Sequence, residues 1–110
     1  MRTLTYATIA TLLTTSVFGQ SSKEHEGTGA GVFQKQCIGC HGADGRAQTE
    51  TGKKVGAADL TSDAVQRETD SNLSKIVQDG KGKMPAFEGR LSDDEIRAVI
   101  AYVRELAKKQ

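Results

Sequence analysis

Apolar positions in this chain fall into one uncharged block and three periodic stretches. From Leu4 to Phe18 no residue is charged. Between residues 30 and 40, Phe33, Cys37 and Cys40 recur at i, i+4 and i+7, the spacing of one helix face. Gly42 and Gly45 end that stretch. A second helix opens at Thr69-Asp70-Ser71, three good caps. Leu73, Ile76 and Val77 form its apolar face, and Gly80 suits its C-terminal end. The third pattern is the best defined. Ser92-Asp93-Asp94-Glu95 reads as a capping box with acids in the first turn. Ile96, Val99, Ile100 and Val103 then form a buried stripe that Tyr102 and Leu106 widen. Lys108 and Lys109 complement the dipole at the far end. Residues 43–68 carry little pattern. Val55, Leu60 and Val65 are the candidate core anchors there, with room for a short helix around Asp63 to Glu68. No strand alternation appears. The expectation is an all-α fold of three main helices joined by loops.

The N-terminal block changes the domain picture. Met1-Arg2-Thr3 is a short basic start, and Val17-Phe18-Gly19 offers permissive residues at the −3 and −1 positions of a cleavage site. Residues 1–19 therefore read as a secretory signal peptide. The uncharged run is short for a bilayer span and rich in threonine. An uncleaved anchor is the alternative. Residues 20–28 form a polar tail containing His25, and residues 29–110 form one small domain. Cleavage after Gly19 leaves 91 residues, and a domain of that size buries only about 60% of its unfolded surface. There is no Trp, and aromatics make up 5% of the chain. The protein core alone is thin, and a buried cofactor would supply the missing apolar surface. Without it the chain is expected to fold poorly.

Charge excludes one class of partner. Among charged residues the leader contains only Arg2, so its removal leaves 14 basic against 14 acidic side chains. Neither a basic surplus nor an aromatic-interleaved basic stripe suggests nucleic acid.

Chemistry concentrates at Cys37-Ile38-Gly39-Cys40-His41. This spacing is that of a covalent c-type haem attachment site. Two thiols can form thioethers to the two vinyl groups of one porphyrin, and a nitrogen ligand is needed beneath the iron. On a helix, positions 37, 40 and 41 share one face. The other readings fare worse. A thioredoxin-like disulfide wants a βαβ context that the flanks lack. A zinc site needs two further ligands after the motif, and no Cys or His follows it. A structural disulfide across C-x-x-C closes too small a loop to stabilise much.

A second candidate ligand sits in Gly80-Lys81-Gly82-Lys83-Met84-Pro85-Ala86-Phe87. The proline pushes Met84 out of helical geometry. After cleavage it is the sole methionine, and its thioether can approach iron from the side opposite His41. The alternative is a Met that simply packs.

From Gly29 to Lys108 the chain resembles the class I cytochromes c, of the small bacterial monohaem kind. The resemblance rests on Cys37, Cys40, His41, the 83–87 loop and the helices at either end. It implies a cytochrome c fold wrapped around one covalently attached haem c per chain. The cofactor-binding residues are then Cys37, Cys40, His41 and Met84, with His41 and Met84 as iron ligands and no catalytic residue. It also implies that Gly29 and Phe33 on the first helix cross Tyr102 on the last. The chain departs from the family in its middle: the family often places Trp, Tyr or Arg near the haem propionates, and this chain has no Trp, and no Tyr between the motif and the third helix. Arg46, Lys53 and Lys54 are the candidates there, each also readable as surface charge.

The implied function is one-electron transfer by a soluble periplasmic monomer, with redox proteins as donor and acceptor and no stable membrane insertion. Lys35, Lys53, Lys54, Lys81 and Lys83 are candidates to ring an exposed haem edge and steer an acidic partner. Two other roles stay open: an electron-entry subunit of an oxidoreductase complex, and a haem-based small-ligand sensor in which Met84 dissociates.

Overall fold

The structure, a computed structural model, describes residues 27–110. The expected signal peptide 1–19 and residues 20–26 of the polar tail, His25 included, lie outside the described residues. Six helices follow in order: α1 Gly29–Gln36, α2 Ile38–His41, α3 Glu50–Val55, α4 Asp63–Gln66, α5 Asp70–Asp79 and α6 Asp93–Lys108. Among the described residues there is no strand, only isolated bridges at Lys81–Met84 and Glu88–Leu91. The architecture is all-α, and α5 and α6 lie where periodicity put them.

Hydroxyl side chains start five of these helices. Thr28, Thr49, Ser62, Thr69 and Ser92 each accept the backbone N–H three residues on. Each thereby satisfies one donor that the helix cannot satisfy itself. At α6 the capping box is complete: Glu95 Oε1 accepts from the Ser92 N–H at 3.0 Å, and Ser92 Oγ accepts from the Glu95 N–H at 3.1 Å.

The first expected helix, residues 30–40, is divided at Cys37, whose φ and ψ are −114° and −30°. The hydrogen-bond ladder still passes through the break. Cys37 N–H donates to Phe33 O at 2.9 Å and His41 N–H to Cys37 O at 3.0 Å. The helix α3 escaped the sequence pattern because Glu50-Thr-Gly-Lys-Lys-Val carries no apolar stripe. Its cap and its docking sustain it instead.

The core is built from Val32 and Phe33 of α1, Leu73 of α5, Ile96, Val99, Ile100, Val103 and Leu106 of α6, and the loop residues Phe87 and Leu91. Cys37, Leu60, Val65, Val77, Met84 and Tyr102 pack around its rim. The α1–α6 crossing is close. Phe33 meets Tyr102 with ring centroids 5.2 Å apart and a 53° tilt, a favourable arrangement for aromatic rings. A Cβ at Gly29 would lie 2.1 Å from the Ala98 carbonyl oxygen. Gly29 is thus a contact residue of the crossing, as the resemblance implied.

Arg104 joins α6 to the α4–α5 elbow. Its guanidinium donates to Gln66 O at 3.0 Å, to Glu68 O at 2.6 Å and to Asp70 Oδ1 at 2.9 Å. Its side chain is 24% exposed, so these charge-assisted bonds are only partly screened.

Candidate haem site

His41 ends α2 and is buried. Its Nδ1 lies 2.9 Å from the Ala58 carbonyl oxygen. A carbonyl can only accept, so Nδ1 carries the proton and Nε2 keeps its lone pair. Such an outer hydrogen bond fixes the tautomer and ring orientation of a metal-ligating histidine. Nothing in the sequence marked Ala58, because a backbone carbonyl leaves no trace in residue type.

Cys37 and Cys40 form no disulfide, and both are partly buried. Before any thioether forms, burial pushes the Cys37 thiol up to about 11. Cys37 packs against the same buried cluster that Met84 touches.

Met84 sits in a tight turn between α5 and α6. Lys81 N–H donates to Met84 O at 3.2 Å, and Met84 N–H to Lys81 O at 2.9 Å. Phe87 N–H and Glu88 N–H anchor the end of this loop to Val77 O and Gln78 O, at 3.0 and 3.1 Å. Gly80, at φ +76°, lies beneath: a Cβ there would stand 2.7 Å from Met84 O and 2.9 Å from Ala86 N. Only glycine lets the loop fold back so closely. Arg90 covers Phe87, its guanidinium carbon 4.9 Å from the ring centroid.

A second short segment braces the cysteine-histidine segment. Thr49 Oγ1 accepts from Gly52 N–H at 2.9 Å and donates to Gly39 O at 2.8 Å, with Cys40 O at 3.2 Å. A Cβ on Gly52 would lie 2.1 Å from Cys40 O. Ala47 N–H donates to His41 O at 2.8 Å, and Ala47 holds φ +58°, uncommon outside glycine. The sequence reading missed Thr49 and Gly52. The available signal was a Thr-Glu pair opening a short helix, too weak without an apolar face.

The basic candidates divide. Lys35, Lys53, Lys54, Lys81 and Lys83 are all exposed. Lys54 pairs with Glu50 at 2.9 Å. Arg46 is exposed too, and its Nε donates to Gln110 Oε1 at 2.5 Å. That bond ties it to the C-terminal residue.

Two thiols spaced three apart, an adjacent imidazole with a free Nε2, and a buried cluster shared by Cys37 and Met84 fit a covalently held haem. Fold and site together define a c-type cytochrome. A profile of the family described as cytochrome c oxidase, cbb3-type, subunit III matches residues 25–103. Cytochrome c6 of Leptolyngbya boryana is 41% identical over 81 residues, covering 74% of this chain and 92% of its own. The cbb3-type oxidase subunit FixP of a Bradyrhizobium strain is 35% identical over 80 residues, 71% of this chain but 26% of FixP. In a solved structure, the KustC0563 c-type cytochrome matches with a TM-score of 0.67 and 26% identity, over 72% of this chain and 96% of that one. The chain belongs to the small monohaem class I cytochromes c. It is an electron-transfer protein that carries covalent haem c, not an enzyme. Among the described residues, no helix is long and apolar enough to cross a membrane.

Proposed function

We propose that this chain is a diffusible periplasmic carrier whose single haem c is attached at Cys37 and Cys40 and ligated by His41 and Met84. One observation carries the ligand assignment on the histidine side: Nδ1 of His41 is committed to Ala58 O, which leaves Nε2 as the metal-binding atom. On the other side, Met84 is held by a closed backbone turn and packs on the cluster that Cys37 also touches. Bound haem c supplies a one-electron couple, and a thioether partner to imidazole favours the reduced state. The chain's own residues hold the ligands still and exclude water. With Met84 in place no open position remains for a substrate.

Electron exchange with redox proteins requires brief encounters. The exposed Lys35, Lys53, Lys54, Lys81 and Lys83 are suited to steer an acidic partner at low salt. A second reading, an electron-entry subunit of an oxidase, is favoured by the FixP match and by the family profile. The 41% identity to cytochrome c6 supports the free carrier.

Visible spectra of purified wild type and Met84→Ala test the site. The oxidised wild type is expected to show the weak long-wavelength charge-transfer band of a thioether ligand. Met84→Ala should lose it and bind CO when reduced. An unchanged Met84→Ala spectrum would assign the sixth ligand elsewhere. Isolation from the native host only within a stable multi-subunit complex would promote the oxidase reading.

A further inference from the structure

We infer that Thr49 is a positioning residue for the axial histidine, acting through α3 on the Ala58 carbonyl; the inference rests on His41 as the iron ligand. The helix α3 behaves as a short rigid spacer with each end on the histidine segment. At its start, Thr49 Oγ1 donates to the Gly39 carbonyl at 2.8 Å, with Cys40 O at 3.2 Å, and Gly52 sits on Cys40 O with no room for a Cβ. At its end, Ala57 N–H donates to Gly52 O at 2.9 Å. The carbonyl of the next residue, Ala58, accepts the hydrogen bond from His41 Nδ1–H. One hydroxyl therefore sets how far α3 stands from α2, and α3 sets where the carbonyl meets the imidazole. Ala47 adds a third tie, its N–H on His41 O, and keeps a left-handed backbone to make it.

The consequence is electronic. A histidine that donates strongly from Nδ1 is a more basic ligand at Nε2 and stabilises the ferric state. Loosening α3 weakens that donation, so the midpoint potential rises.

The test uses haem-loaded full-length protein. Thr49→Val keeps the shape and removes the hydroxyl. Gly52→Ala retains Thr49 but drives α3 off Cys40 O, its Cβ also crowding Thr49 Oγ1 and Ala47 O. Thr49→Ser keeps the bond. Arg104→Ala serves as the control, because it cuts ties to residues 66–70 and none to α3. Two quantities are read: the midpoint potential, and the exchange rate of the His41 Nδ1 proton by NMR of the reduced protein. Thr49→Val and Gly52→Ala should both raise the potential and speed exchange roughly fivefold, the factor for one ordinary net hydrogen bond. Thr49→Ser should match wild type. Arg104→Ala should lower stability and leave both quantities alone. If Thr49→Val does not accumulate with haem, Thr49→Ala and Gly52→Ala carry the same comparison. Wild-type values in Thr49→Val and Gly52→Ala would overturn the inference, as would a potential that moves equally in Arg104→Ala. Failure of the underlying reading looks different: wild type itself would lack a histidine-ligated low-spin spectrum.

Discussion

Gly29→Ala isolates the α1–α6 crossing in one methyl group. A Cβ at this position would meet Ala98 O at 2.1 Å, Ala98 C at 2.8 Å and Tyr102 Cβ at 3.0 Å. Two of these three atoms are backbone, so no side-chain rotation relieves the clash. Ordinary contact begins at about 3.4 Å. The helices must therefore separate by roughly an ångström at this point, which disturbs the Phe33–Tyr102 stack one turn further on. Overpacking of this kind costs about 1–3 kcal/mol. Helix propensity works the other way, since alanine is preferred over glycine by at most ~1 kcal/mol. Two features push the balance toward destabilisation: the contact is far inside van der Waals distance, and the partner is main chain. The expected net loss is about 2 kcal/mol, a large share of the stability of a domain this size. Guanidinium titration of the haem-loaded protein reads the change, and the melting temperature should fall by roughly 8–16 °C. Gly27→Ala is the matched control, with nothing within 4 Å of its added methyl. If Gly29→Ala is neutral or stabilising, the helices do not cross at Gly29 and the reasoning fails.

Phe33 is 2% exposed, so Phe33→Ala should cost roughly 3–5 kcal/mol in the same titration; a loss below about 1 kcal/mol would contradict its burial. Arg104→Ala leaves the Gln66 and Glu68 carbonyls without their cationic donor and should cost about 2–3 kcal/mol, with hydrogen exchange at the α4–α5 elbow rising first. The Thr61 hydroxyl, at 2.7 Å, together with the Thr61 N–H and the nearby Arg46, holds the exposed Asp59 carboxyl below its ordinary value of 3.8. Its contribution is therefore present above that value and lost as pH falls through the lower folded one. Asp59→Asn should cost a few tenths of a kcal/mol at neutral pH, a small figure because solvent screens the group. The difference from wild type should vanish in acid titration, and a gap that persists there would point to packing instead.

Sequence alone determined what repeats and what is chemically distinctive. The α5 and α6 faces were legible because apolar residues recur at 3.6-residue spacing, and their starts because Thr69 and Ser92 satisfy orphan N–H groups that any helix must satisfy. Cys37, Cys40 and His41 stood out in the sequence because covalent attachment and ligation would need those atoms at that spacing, and Met84 because proline and glycine mark an extended loop; their roles at the haem are the proposal made above. Tertiary structure decided the rest. Gly29 could have been one more glycine of a flexible tail until the Ala98 carbonyl was found against it. The helix α3 has no periodic face, and it exists because Thr49 caps it and Gly52 fits against Cys40 O. Arg104 and Ala58 act through backbone carbonyls of distant segments. Every residue has such a carbonyl, so residue type does not reveal which one a side chain will reach. Only the path of the folded chain selects it.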